Sequence, residues 1–149
     1  MTDSEIVEET IVYVKKTLQG AEGGHDWFHI QRVFNNTIQL SQSEEVDVLI
    51  VSLAALLHDI ADPKFHNGDE SIGPKMARDF LNDLGLHQKK ITHVVKIIEN
   101  MSFKNSLERK TNPFTSKELQ VVQDADRLDA IGAIGIARAF NYGGFKNRA

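Results

Sequence analysis

The run Val48-Leu49-Ile50-Val51-Ser52-Leu53-Ala54-Ala55-Leu56-Leu57 puts apolar residues on nearly every side of a helix. A helix without a polar face cannot lie on a surface; it has to be surrounded by other elements. The segment from about Val46 to Asp59 is therefore expected at the centre of a bundle, and the rest of the chain must supply its neighbours. It ends on His58-Asp59, and Pro63, which lacks a backbone N–H, stops any continuation.

Five further segments repeat their apolar residues with a period near 3.6, and none shows the sustained alternation of a strand. The first spans about Ser4 to Gln19, with Ile6, Thr10, Ile11, Val14 and Leu18 on one face. Thr2 and Glu5 have capping-box spacing at its start, and Gly20 can end it. After Gly23-Gly24 a second helix is expected from about Asp26 to Leu40, with its apolar positions at Ile30, Val33, Phe34, Thr37 and Ile38. Helices near Ile72 to Leu84 and Lys89 to Met101 follow, separated by Gly85. Thr115 and Glu118 again have capping-box spacing and open a last helix that runs through Asp126 towards Ala139. The expected fold is all-α, an irregular helical bundle of about six helices, in a single domain over residues 1–149.

A chain of 149 residues with 41% hydrophobic and 26% charged residues can bury such a core. The net charge of -4 argues against a duplex-DNA partner, which usually meets a basic stripe. With no cysteine, disulfides, thiolate zinc sites and cysteine nucleophiles are excluded, which fits a cytoplasmic protein. Asp3, Glu5, Glu8 and Glu9 are unlike a secretory signal, and the apolar run Leu53 to Leu57 is too short to cross a membrane.

Three places carry polar residues where apolar ones would be expected. His58-Asp59 closes the most buried helix. Asp124, Asp126 and Asp129 crowd into one amphipathic helix. His29 sits among aromatics in His25-Asp26-Trp27-Phe28-His29. A charged carboxylate is not buried without a cation, a metal or several donors, and one metal would account for all three places. Imidazole with carboxylate suits Mn, Fe, Co or Zn, and Mg less readily. Open coordination positions would let such an ion acidify a water and polarise a phosphoryl oxygen.

In order and context these blocks resemble the H…HD…D signature of the HD superfamily of metal-dependent phosphohydrolases. The resemblance is carried by His25-Asp26-Trp27-Phe28-His29-Ile30-Gln31-Arg32-Val33, by Ala54-Ala55-Leu56-Leu57-His58-Asp59-Ile60, and by Asp124-Ala125-Asp126-Arg127-Leu128-Asp129-Ala130-Ile131-Gly132. It runs from Gly24 to about Gly135 and is most similar to small bacterial HD-domain nucleotide hydrolases. It implies that His29, His58, Asp59 and Asp126 hold one divalent metal ion, with Mn favoured, and that Asp126 rather than Asp124 is the last ligand. It also implies a nucleotide phosphatase or pyrophosphohydrolase acting on a small phosphorylated substrate. Relatives extend past the Gly143-Gly144 segment into further helices, so a shortened or partial chain is expected.

Asp62 matches an acid that orients the attacking water in some relatives, and equally caps a turn before Pro63. Lys64, Arg32, Lys104 and His25 are candidates for contacts to phosphate oxygens. For Arg32 and Arg127 the competing reading is neutralisation of the acidic cluster; for Lys104, a solvated loop lysine; for His25, a helix cap. His66, His87 and His93 read as ordinary polar positions, although His93 or His66 would be needed by a two-metal relative. Trp27, Phe28, Phe34 and Phe80 read as core. The alternative to an enzyme is a metal-binding module that senses a ligand or binds a partner with little turnover. Oligomeric state stays open, a dimer included.

Overall fold

The computed structural model describes residues 1–20, 26–61, 66–102 and 113–147. Within them are seven helices and no strand: α1 (Asp3–Thr17), α2 (Trp27–Ser41), α3 (Val48–Leu57), α4 (Ile72–Asp83), α5 (Gln88–Glu99), α6 (Lys117–Leu128) and α7 (Gly132–Phe145). The all-α expectation holds. None of these helices is long and apolar enough to cross a membrane.

Every residue of α3 from Leu49 to Leu57 is buried, Ser52 included. It packs against α1, α2, α5 and α6, while α4 lies on α5. The apolar stripes of the neighbours close around it. Ile6 and Val14 come from α1, Ile30 and Val33 from α2, Val94 and Ile97 from α5, and Leu119 and Val122 from α6. Two polar residues of this core are satisfied locally: the hydroxyls of Thr10 and Ser41 donate to the Ile6 and Thr37 carbonyls, each at 2.7 Å.

The helix ends follow from residue chemistry. Thr2 and Glu5 form the expected capping box, and Gly20 and Gly85 take positive φ just beyond their helices. The cap of α6 differs from expectation: Ser116, not Thr115, accepts the Leu119 N–H at 3.0 Å. Glu118 is then released from the capping box and accepts the Asp47 N–H, tying α6 to the start of α3.

The stretch expected as one last helix is two. The chain turns at Asp129–Ile131, and Gly132 opens α7 at φ +65°, a conformation that a β-carbon disfavours. The apolar spacing runs on through the break, so periodicity alone does not reveal it. No described side chain of α7 is buried; Ile131, Ile134, Ile136 and Phe140 are exposed. Phe28 is exposed too, contrary to its expected place in the core, because position 28 of α2 faces away from the stripe of Ile30, Val33 and Thr37. Phe80 stacks on Tyr13 with centroids 4.0 Å apart.

Candidate metal centre

Three helix ends bring the polar residues together. Asp26 caps α2 by accepting the His29 N–H at 3.1 Å, which sets His29 in the first turn with only 2% exposure. His58 follows the last residue of α3 and donates Nδ1–H to the Ala55 carbonyl at 2.8 Å. That bond leaves Nε2 of the neutral ring as the acceptor. Asp126 lies in the last turn of α6, on the face opposite the exposed Asp124.

Asp126 Oδ1 lies 3.4 Å from His29 Nε2 and 3.6 Å from His58 Nε2. One ligand atom from each of His29, His58 and Asp126 lies within 4.8 Å of the others, so the three could hold one metal ion between them. Asp59, the fourth expected ligand, stands just outside this group, its Oδ2 3.9 Å from His29 Nε2. His58 Nε2 is buried and has no hydrogen-bond partner. A buried ring nitrogen without a hydrogen-bond partner, 3.6 Å from the Asp126 carboxylate, is a poor arrangement for a core and a good one for a cation. The donor set fits a divalent ion of the first transition row.

Without a metal the same atoms form an ion-pair cluster. Burial opposes the charged form of His58, but the hydrogen-bonding and Coulombic pull of Asp126, with a further contribution from Asp59, holds its pKa up at about 9. Burial pushes the Asp126 carboxyl up, yet His29 and His58 outweigh it and hold that group well below the usual carboxylate range.

A second acid stands behind the first. Asp129, 2% exposed, places Oδ2 at 2.7 Å from His29 Nδ1. Arg32 reaches it twice, from Nε to Oδ1 at 2.6 Å and from Nη2 to Oδ2 at 3.0 Å. Arg138 of α7 donates to the Asp129 carbonyl at 3.0 Å and lies 3.3 Å from its carboxylate. The Asp129 carboxyl also sits below its ordinary value; burial works against this, and the bonds from Arg32 and His29 prevail. Arg127, read with Arg32 as a neutralising partner, is exposed.

Asp129 stood out in the sequence only as one of three crowded acids, with no role of its own. The crowding of acids and the reading of Arg32 as their neutralising partner were its signals, but nothing in the spacing paired it with His29. His25, Asp62, Lys64 and Lys104 lie outside the described residues. The remaining histidines stand apart from the cluster. His66 is exposed, His87 caps α5, and His93 shares a 3.0 Å hydrogen bond with Ser116.

The HD domain family matches residues 27–131. The chain is 37% identical over 146 residues to the uncharacterized protein YpgQ of Bacillus subtilis, covering 98% of this chain and 70% of that protein. A crystal structure of YpgQ in complex with ADP superposes with a TM-score of 0.80 at 36% identity, over 100% of this chain and 71% of that one. The crystal structure of an HD-superfamily hydrolase from Bacillus thuringiensis gives 0.76 at 45% identity, over 99% and 69%.

Proposed function

Because the chain belongs to the HD-domain family, we propose that it is a cytoplasmic metal-dependent phosphohydrolase cleaving a phosphomonoester or phosphoanhydride bond of a nucleotide. The observation that carries this reading is the convergence of His29, His58 and Asp126 around a buried, unpartnered His58 Nε2. Asp59, directly after His58 and 3.9 Å from His29, joins them as the fourth ligand. A divalent ion held there, Mn²⁺ by preference, would lend Lewis acidity to a water and to a phosphoryl oxygen.

The protein groups divide the remaining work. Asp62 takes the proton of the attacking water. Lys64, His25 and Lys104 neutralise the phosphate oxygens, ammonium as a point charge and imidazole as a shorter donor. Arg32 gives two donors to Asp129, so its part here is counter-ion to that acid rather than phosphate contact. A nucleotide is favoured as substrate by the likeness to YpgQ, whose structure was solved with ADP.

The test is a hydrolysis screen on metal-stripped protein refilled with Mn²⁺, over nucleoside mono-, di- and triphosphates, cyclic nucleotides and an aryl phosphate. Turnover that requires both Mn²⁺ and Asp59 is the expected result, and release of phosphate or pyrophosphate identifies the bond cut. Asp59→Ala is expected to lose the metal; full occupancy in that variant would remove Asp59 from the ligands. Asp62→Asn is expected to keep the metal and lose about 10²-fold in turnover. A protein that binds Mn²⁺ and turns over none of these substrates would instead be a sensing module.

A further inference from the structure

We propose that Asp129 is the positioning residue of this centre: clamped between Arg32 and Arg138, it holds His29 with Nδ1 protonated and Nε2 left as the ligand atom, and so makes α7 part of the metal-binding unit. The inference rests on the metal reading above and adds to it a residue outside the four-ligand set.

The geometry leaves the histidine little choice. An ionised carboxylate is an acceptor only, so the 2.7 Å contact with His29 Nδ1 requires the proton on that nitrogen. The carboxylate is itself fixed. At 2% exposure it has no water to turn towards, and its two oxygens meet Arg32 Nε and Nη2 at 2.6 and 3.0 Å. A forked guanidinium on a carboxylate sets the plane as well as the distance.

The two histidines of the centre thus reach the same state by different routes. His58 gives its Nδ1–H to the Ala55 carbonyl, and His29 gives its Nδ1–H to a carboxylate. An anionic partner makes the far nitrogen the more basic, hence the stronger donor to a cation. Asp129 therefore acts on affinity as well as on orientation.

Arg138 carries the effect beyond the centre. The turn at Asp129–Ile131 and the left-handed Gly132 bring α7 back so that Arg138, nine residues on, donates to the main-chain carbonyl of Asp129 and approaches its carboxylate. No described side chain of α7 is buried, so this contact is a tie between a lightly packed helix and a metal-ligating histidine. Changes in the seating of α7 are then felt at the metal.

The experiment uses the ¹⁵N-labelled full chain as wild type, Asp129→Asn and Arg138→Gln, with ring-nitrogen NMR of the metal-free protein and a calorimetric titration with Mn²⁺ alone. At a pH where the His29 ring is neutral, the wild type should show the Nδ1–H form. Asp129→Asn should lose the dominance of that form and bind Mn²⁺ at least about tenfold more weakly. Arg138→Gln should keep the tautomer and show a smaller loss of affinity. An Nε2–H ring in the wild type, or unchanged Mn²⁺ affinity in Asp129→Asn, overturns the proposal; unchanged affinity in Arg138→Gln overturns the part assigned to α7. Should Asp129→Asn not fold, the wild-type tautomer and Arg138→Gln decide. If the wild type binds no Mn²⁺, the metal reading falls, while the tautomer still decides on Asp129.

Discussion

His58 Nε2 and Asp126 Oδ1 face each other at 3.6 Å, slightly beyond hydrogen-bond length, with the imidazole only 5% exposed. The pair is held together by charge when no metal is present, and this gives the metal-free protein a pH dependence of definite sign. His58 has its pKa raised from 6.5 to about 9, so its contribution is complete below pH 6.5 and is lost as pH rises through about 9. Asp126 has its pKa lowered from 3.8, so its contribution is complete above pH 3.8 and is lost as pH falls towards the folded value. Chelator-treated protein should therefore melt highest between about pH 4 and 6.5 and lose stability from 6.5 to 9. Thermal melts across that range check it, and a flat profile from 6.5 to 9 would count against the pairing. Mn²⁺ affinity should run the other way, rising through the same interval, because His58 must give up its proton to become a ligand.

Asp126→Asn separates charge from shape. The amide fits the same space but no longer pulls on His58, so the stability loss between pH 6.5 and 9 should largely disappear. Mn²⁺ binding should fall by at least about 10²-fold, since an amide oxygen is a far weaker ligand than a carboxylate. Calorimetry alongside the melts reads both effects.

Leu53 lies fully buried in the middle of α3, in contact with the helices that close around it. Leu53→Ala should cost about 2–5 kcal/mol in chemical denaturation, the spread reflecting how far the core can collapse. Because Leu53 lies more than a helical turn from His58, the folded fraction should retain wild-type Mn²⁺ affinity.

Two glycines at the start of α7 should respond differently to alanine. At Gly132 an added β-carbon would meet nothing, so the cost is that of the left-handed backbone alone, about 1–2 kcal/mol. At Gly135 the β-carbon would run into the Ala130 carbonyl, which is backbone and cannot step aside. Gly135→Ala should therefore destabilise more than Gly132→Ala, and it should also weaken Mn²⁺ binding by shifting α7 and Arg138. Equal losses in the two variants would argue against the close approach at Gly135.

The part of the fold legible in the sequence was the part governed by local chemistry. An all-round apolar run had to be central, and Leu49–Leu57 is. Thr2 with Glu5, Asp26, Gly20 and Gly85 mark helix ends by bonds that span three or four residues or by their own φ. His29, His58 and Asp126 stood out because polar residues in apolar surroundings demand a partner, and the structure brings them within 4.8 Å of one another. What could not be read depended on distant partners. Asp129 looks like any acid at a helix end until Arg32 and Arg138 are seen around it. Phe28 looks like core until the stripe of Ile30, Val33 and Thr37 fixes which way α2 faces. The break before Gly132 hides behind apolar residues that continue the helical period on both sides.

The contact between His29 and Asp129 spans 100 residues of sequence. The equilibrium cost of closing so long a loop is small, since it grows only with the logarithm of length. Its consequence is for timing. While the chain is being made, α2 and α3 can emerge and begin to pack with both histidines in place, but neither Asp126 nor Asp129 yet exists to complete the cluster. The proposed four-ligand set, and the carboxylate that holds His29, are therefore complete only once α6 has joined the bundle, so the finished centre depends on the core's assembly.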